Sequence, residues 1–287
     1  MSILIIGSGG NLGSKLKNLT VEAHGVICWD REDIDVTNGD EVRKKINTVN
    51  PRVIINATGF NNVDACEEVS KFKLAKKVNG EAVGYLAQAA LDISAVLVHY
   101  SSDYVFSGDD EKGYNEEAEP KPINKYGKSK LMGEQEILKL KELGLKYYLI
   151  RTSKLFGSQA TSQSAKPSFF DIMLKLAKTK KEIKVIDEEV SCFTYTKDLA
   201  EATKALIEDN KETGIYHIVN SNPCTWYEAA QELFKLARID VKINPVTADK
   251  FSRPAKRPKY SVLLNTKLKP MRDWKEALED YIGNHNS

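Results

Sequence analysis

The sequence predicts an α/β fold: a doubly wound parallel sheet joined to a smaller α/β lobe. Three observations predict it. Short, continuously apolar runs alternate with helical patterns through the first half of the 287 residues, which is how strands buried on both faces of a parallel sheet read. A glycine-rich turn follows the first of those runs at once. After Arg151 the alternation loosens, as a second lobe would make it.

Strands are expected at 3–6, 25–29, 53–56, 95–100 and 146–150, with helices at 12–19, 40–49, 73–91 and 125–143 between them. Together these make a Rossmann-type sheet. Beyond it come a helix at 169–179, a strand at 183–186, a helix at 197–208, a strand at 214–219 and a helix at 225–236. A Pro- and Lys-rich stretch then leads to an amphipathic helix at 274–282.

Composition narrows the function classes. Hydrophobic residues make up 41% and charged residues 29%, ordinary for a soluble globular protein. With 42 Lys and Arg against 40 Asp and Glu, the net charge of +2 calls for neither nucleic acid nor a membrane surface as partner. The four cysteines (Cys28, Cys66, Cys192, Cys224) lie far apart without a C-x-x-C, so reduced thiols are expected rather than disulfides or a thiolate metal site. Histidines are scattered too, and no metal is expected. The opening apolar run is too short for a signal segment or a membrane span and no positive stretch precedes it, so the expected location is cytoplasmic. No heptad or apolar stripe marks an interface, leaving monomer and homodimer both open.

The first strand runs into Gly7-Ser8-Gly9-Gly10-Asn11-Leu12-Gly13. Glycines at this spacing let the chain turn sharply, let backbone approach a pyrophosphate and let helix pack on strand. The phosphates then meet free N–H groups at the helix N-terminus. The competing reading is a tight turn with no ligand, but its place directly after an N-terminal strand favours dinucleotide binding. At the end of strand two, Asp30 suits adenosine ribose hydroxyls and Arg31 suits a 2′-phosphate, so NADPH and NADH both stay open; Arg31 reads equally well as a solvated charge. Asp35 and Val36 fall where an adenine would be held. Ala57, Thr58 and Gly59 end strand three with the small residues a neighbouring cofactor requires. The expected division is therefore 1–155 for a dinucleotide-binding domain, with a return segment near 187–219. Residues 156–186 and 220–287 would form a discontinuous substrate-binding lobe.

Tyr126 and Lys130 form Y-x-x-x-K within a helical pattern, which puts both on one face. Ser101 and Ser102 end strand four at the carboxyl edge, where open α/β sheets bind ligands. Free tyrosine titrates near pH 10; a neighbouring ammonium favours its phenolate and makes it a usable acid–base group. A serine hydroxyl steadies a developing alkoxide. Each element alone has a bland reading, a surface helix pair or a strand-end turn, and their order along the chain is what joins them. Asn79 adds a helix asparagine that could position Lys130.

These residues, and the stretches around them, resemble the dTDP-4-dehydrorhamnose reductase family, a branch of extended short-chain dehydrogenases. The likeness is strongest at 56–67 (NATGFNNVDACE), 99–108 (HYSSDYVFSG), 126–134 (YGKSKLMGE), 149–157 (LIRTSKLFG) and 253–268 (RPAKRPKYSVLLNTKL). The resemblance implies Tyr126 as proton donor to the sugar C4 oxygen and Lys130 on the nicotinamide ribose. It implies Ser102 in place of a usual threonine, Asp103 on the sugar, Asn11 and Leu12 over the pyrophosphate, and Tyr100 beside the cofactor. Phe169 and Arg257 would join the substrate pocket. Hydride would pass from NADPH or NADH to C4 of a 4-keto-6-deoxyhexose carried on a nucleotide, in dTDP-rhamnose and polysaccharide biosynthesis.

Departures from the family fall on the sugar-nucleotide side: Lys154 for a tryptophan, Ser168 for an asparagine, Phe193 for a proline, and Tyr260 and Leu264 for an asparagine and an aspartate. Lys15 stands where some members carry a magnesium-binding glutamate. Lys154 would pair with a phosphate or a sugar acid, or else lie solvated. Two further outcomes belong to the resemblance. One relative is the dinucleotide-binding regulatory subunit of methionine adenosyltransferase, which would have no need of Ser102, Tyr126 and Lys130. Nucleotide-sugar epimerases and dehydratases use the same tyrosine and lysine with held NAD. Asp103 supplies their acid, but the dehydratase's further glutamate is missing, and the Asp-Tyr-Val-Phe run favours the reductase branch.

Overall fold

Residues 2–20, 25–157 and 166–285 are described by a computed structural model of the chain. In order, β1 (Ile3–Ile6), α1 (Asn11–Thr20), β2 (Val26–Trp29), α2 (Gly39–Val49), β3 (Val53–Asn56), α3 (Val69–Lys76), α4 (Ala82–Asp92), β4 (Val96–Ser102), α5 (Lys125–Lys139) and β5 (Lys146–Thr152) alternate. There follow β6 (Leu155–Phe156), α6 (Phe169–Ala177), β7 (Glu182–Ile186), β8 (Thr194–Tyr195), α7 (Thr196–Glu208), β9 (Gly214–His217), α8 (Trp226–Leu236), β10 (Lys242–Val246) and α9 (Trp274–His285).

Six strands form one parallel sheet in the order β2-β1-β3-β4-β5-β9. Apolar runs fill both faces because both are covered. Leu4, Ile54 and Leu97 meet α2 and α4 on one side, while Ile5, Ile55 and Val98 meet α1 and α7 on the other. The register sets Ile6 opposite both Trp29 and Asn56, and Asn56 opposite His99. The glycine turn, Asp30, Ala57 and the end of β4 therefore emerge at one carboxyl edge. The order reverses on either side of β1, and such a switch point opens a crevice.

A second core gathers α6, α8 and α9 around Phe156, Phe170, Phe193, Trp274 and Tyr281. Two short parallel pairs, β7 with β10 and β6 with β8, belong with it. Helices α6 and α8 start at capping boxes, Ser168 with Asp171 and Thr225 with Glu228, each satisfying two otherwise orphaned N–H groups. The helix expected over 73–91 is instead α3 and α4 joined through a π turn, Lys77–Glu81.

Candidate active site

The glycine turn closes on itself before it can meet a ligand. Gly7 sits at φ +84°, and a Cβ on Gly13 would come 2.0 Å from the Gly7 carbonyl, so α1 packs on the turn with no room for a side chain. Asp30, at the end of β2, accepts from the Ser8 hydroxyl at 2.8 Å and from the Gly9 N–H at 3.0 Å. Its carboxylate thus staples β2 to the turn, beside exposed Arg31. Asp35 accepts from the Thr37 N–H and hydroxyl, which hold it below the usual carboxylate range, while Val36 packs on the core. Thr58 donates to Asn56, and the chain at Ala57 runs directly beside Gly7. The Asn11 amide donates to the Lys166 carbonyl at 3.2 Å, bringing the later part of the chain to the head of α1.

Across the crevice, α5 holds Tyr126 and Lys130. Asn124 caps it by accepting from Gly127 at 2.8 Å and anchors it by donating to the Lys256 carbonyl. A Cβ at Gly127 would lie 2.0 Å from the Tyr104 carbonyl, so only glycine lets the helix seat against the end of β4. The Lys130 ammonium donates to the Tyr100 carbonyl at 2.6 Å. Burial pulls this lysine down to about 8. Burial holds the Tyr126 phenol well above its usual titration range, so it keeps its proton at neutral pH, while the Ser102 hydroxyl donates to Asp103 and accepts from the Tyr104 N–H.

On the sugar side, Asp103 is almost fully buried. It accepts from Ser102 at 3.0 Å and from Ser261 at 2.6 Å, and desolvation pushes it up to about 6. Lys154 adopts φ +40° and lays its ammonium on Trp226, 3.7 Å from the ring centroid, with Phe193 at 4.9 Å. It is half-buried and faces Asp103 and Glu189, and burial draws it down to about 8. Phe169 tilts on Trp226 at 4.7 Å. Arg257 forms a two-pronged pair with Asp64, 2.5 and 2.7 Å, tying the C-terminal stretch to the loop after β3.

Three expectations need correction. The Tyr100 side chain bonds Thr203 at 2.9 Å on α7, because alternation along β4 puts it with Val98 on the face opposite Ser101 and α5; only its carbonyl reaches Lys130. Asn79 does not touch Lys130. The π turn aims it at both backbone groups of Phe60 and at the Ser129 hydroxyl, so it clips the loop after β3 to α5. Lys154 does not stand free in solvent: two aromatic rings cover its ammonium, which also reaches the Glu189 carbonyl, and the residue stays half-buried. Among the departures, Ser168 caps α6, Phe193 is core, the Tyr260 N–H donates to the Gly108 carbonyl, and Leu264 is exposed.

Sequence reasoning missed the support beneath the site. Glu134, fully buried, accepts from Ser101 at 2.5 Å and from two nitrogens of buried Arg151 at 3.0 and 2.7 Å. The signal was present: 126, 130 and 134 recur every four residues, so Glu134 shares the face of Tyr126 and Lys130. His99 and Asn56 form a second buried pair at 3.0 Å, which nothing in the spacing announces. Among the described residues no cluster of three or more His, Cys, Asp or Glu side chains could hold a metal.

A parallel sheet with its switch point beside a glycine turn, and a tyrosine and lysine on one helix over the end of β4, define an extended short-chain dehydrogenase/reductase. Within that class the chain belongs to the family described as the RmlD substrate binding domain, whose profile matches residues 1–287. It is 34% identical to the spore coat polysaccharide biosynthesis protein SpsK of Bacillus subtilis, over 99% of this chain and 98% of that one. Among solved structures, a dTDP-4-dehydrorhamnose reductase of Clostridium acetobutylicum superposes with a TM-score of 0.93, at 38% identity and full coverage of both chains. One from Bacillus anthracis, in complex with NADP, gives 0.91 at 33% identity, covering 99% of each. Among the described residues no helix is long and apolar enough to cross a membrane.

Proposed function

We propose that the chain reduces the 4-keto group of a nucleotide-linked 6-deoxyhexose, dTDP-4-dehydrorhamnose or a close analogue, using NADPH or NADH. One observation carries the reading: Tyr126 lies buried on α5 one turn from Lys130, whose ammonium is fixed on the Tyr100 carbonyl at the edge where the glycine turn emerges. A reduction needs an acid there, not a phenolate, to receive the carbonyl oxygen.

The dinucleotide would lie along Gly7, Gly10, Asn11, Leu12 and Gly13, with Asp30 and Arg31 at its adenosine end and Asp35 and Val36 beside the adenine. Ala57, Thr58 and Gly59 would flank its middle. The residues fit such a group: α1 begins at Asn11 directly after the glycine turn, the placement that favours an anionic group at a helix N-terminus, and the Lys130 ammonium has donors beyond the one on Tyr100. When bound, the reduced nicotinamide supplies the hydride. Lys130 would hold its ribose. Tyr126 would give its proton to the C4 oxygen while Ser102 donates to the same oxygen, and Lys130 would steady the phenolate left behind. Asp103, Lys154, Phe169 and Arg257 would line the sugar-nucleotide side.

The two cores support the expected division, with 1–155 and a return near 187–219 serving the cofactor, and 156–186 with 220–287 serving the substrate. Residues 158–165 of that lobe lie outside those described. Free thiols at all four cysteines support a reducing compartment, the cytoplasm.

The test is loss of reduced-nicotinamide absorbance with dTDP-4-dehydrorhamnose, run with NADPH and NADH side by side. Turnover with either is the expected result. Confirmed cofactor binding with no turnover would discard this substrate.

A further inference from the structure

Helix α5 meets β4 and the turn after it at three places spread along its length. At Gly127 its backbone seats against the Tyr104 carbonyl. At Lys130 the ammonium donates to the Tyr100 carbonyl at 2.6 Å, and at Glu134 the carboxylate accepts from the Ser101 hydroxyl at 2.5 Å. The third contact is tied to β5 as well. Ser101 stands opposite Arg151 in the sheet register, and Arg151 donates twice to Glu134, from Nε at 3.0 Å and from Nη2 at 2.7 Å. All three side chains are buried. Ser102 is the next residue along β4, while Lys130 and Tyr126 lie about one and two turns up the helix from Glu134. The same small cluster therefore grips both elements that carry the reacting groups.

A buried ion pair is a poor source of stability, because taking two charges out of water offsets most of what their attraction returns. Apolar packing would hold the helix as well, and Ile137, a turn further on, does so in one core with Leu97. What a carboxylate held by three donors adds is direction, since charge-assisted bonds of this kind are short and fixed in angle. We propose that the Ser101–Glu134–Arg151 clamp positions Tyr126 and Lys130 against Ser102, so that all three meet the C4 oxygen together. This rests on the reductase reading. The clamp acts through the helix and the strand rather than by touching substrate or cofactor. Its leverage comes from the tolerance of the reaction: a shift of about 1 Å between reacting groups costs up to about 10²-fold in rate.

The test removes one bond of the clamp and keeps its ion pair. Ser101→Ala in the whole chain leaves Arg151 on Glu134, so no buried charge is stranded. With NADPH and dTDP-4-dehydrorhamnose, kcat should fall by roughly tenfold, the effect of loosening the arrangement rather than losing it, and KM should stay unchanged. Tyr148→Phe is the comparison. It deletes a bond of the same kind at the far end of β5, from the phenol to the Lys211 carbonyl at 2.7 Å, and should leave kcat as it is. An unchanged kcat in Ser101→Ala, a loss confined to KM, or equal losses of kcat in the two variants would each overturn the proposal. A second reading needs no turnover. Fluorotyrosine placed at position 126 of the cofactor-free chain should give one narrow fluorine resonance, shifted or broadened in Ser101→Ala and unmoved in Tyr148→Phe. A resonance unmoved in Ser101→Ala overturns the clamp. If the parent chain reduces nothing, the reductase reading fails, and the fluorine resonance still decides whether the clamp holds Tyr126.

Discussion

The two sides of the crevice are built by different means. The glycine-turn side is made of backbone: Gly7, Gly13 and Ala57 approach one another without side chains, and Asp30 closes the turn from 21 residues away. The sugar side is made of side chains that meet across the chain, Asp103 with Ser261 over 158 residues and Asp64 with Arg257 over 193. A backbone device leaves a short, spaced signature, while a side-chain device leaves single residues whose partners are unknown until the chain is folded.

The sharpest way to test that contrast is at its meeting point. Replacing Tyr126 by Phe should cut turnover by about 10²–10⁴-fold with cofactor affinity unchanged, as fluorescence titration with NADPH would register. A near-normal rate would mean that another group supplies the proton. Next in size is the hidden pair. Glu134→Ala leaves Arg151 buried and uncompensated, and urea unfolding should report a loss of about 3–5 kcal/mol. A loss below 1 kcal/mol would show that water reaches Arg151.

The acid limb of stability offers a smaller effect. Native Asp103 holds its proton to about pH 6, whereas unfolded aspartate releases it near 3.8. The native state therefore binds more protons in that window, and this residue's contribution falls as pH rises through it. His217 acts oppositely. Burial lowers it from 6.5 to about 4, so the unfolded state binds more protons and stability rises with pH. Asp103→Asn should remove only the first slope and leave stability climbing more steeply from pH 4 to 6; an unaltered profile would show Asp103 ionised throughout. The smallest effect concerns the sugar side alone. Lys154→Ala should weaken dTDP binding by about fivefold, on the order of 1 kcal/mol for one partly exposed charge, with NADPH affinity unmoved. Calorimetry reading equal dTDP affinities would remove Lys154 from the nucleotide site.

This contrast also accounts for what was legible beforehand. The five strands of the first half and the helix holding Tyr126 and Lys130 were readable because continuous apolar runs and a four-residue spacing survive without context. The direction of the Tyr100 side chain was not readable from alternation, since 98, 100 and 102 share a parity on β4 and Ser102 stands in the site. Asn79 was not, because a π turn changes the count along the helix. Lys154 was not either: a lysine after a strand gives no hint that Trp226 and Phe193, 72 and 39 positions later, will cover it.

That π turn has a consequence for how the chain tolerates length changes. Five residues, Lys77–Glu81, occupy a wider turn between α3 and α4, and each residue in an ordinary helix advances the azimuth by about 100°. The segment acts as a phase shifter between two otherwise regular screws. On one side, Ala75 lies in the small cluster under Tyr126; on the other, Val83 and Leu86 lie in the core of the sheet. Deleting a single residue there would bring the screws back into step and rotate one set of contacts off its target. A one-residue loss in this helix would act as a frame error in packing.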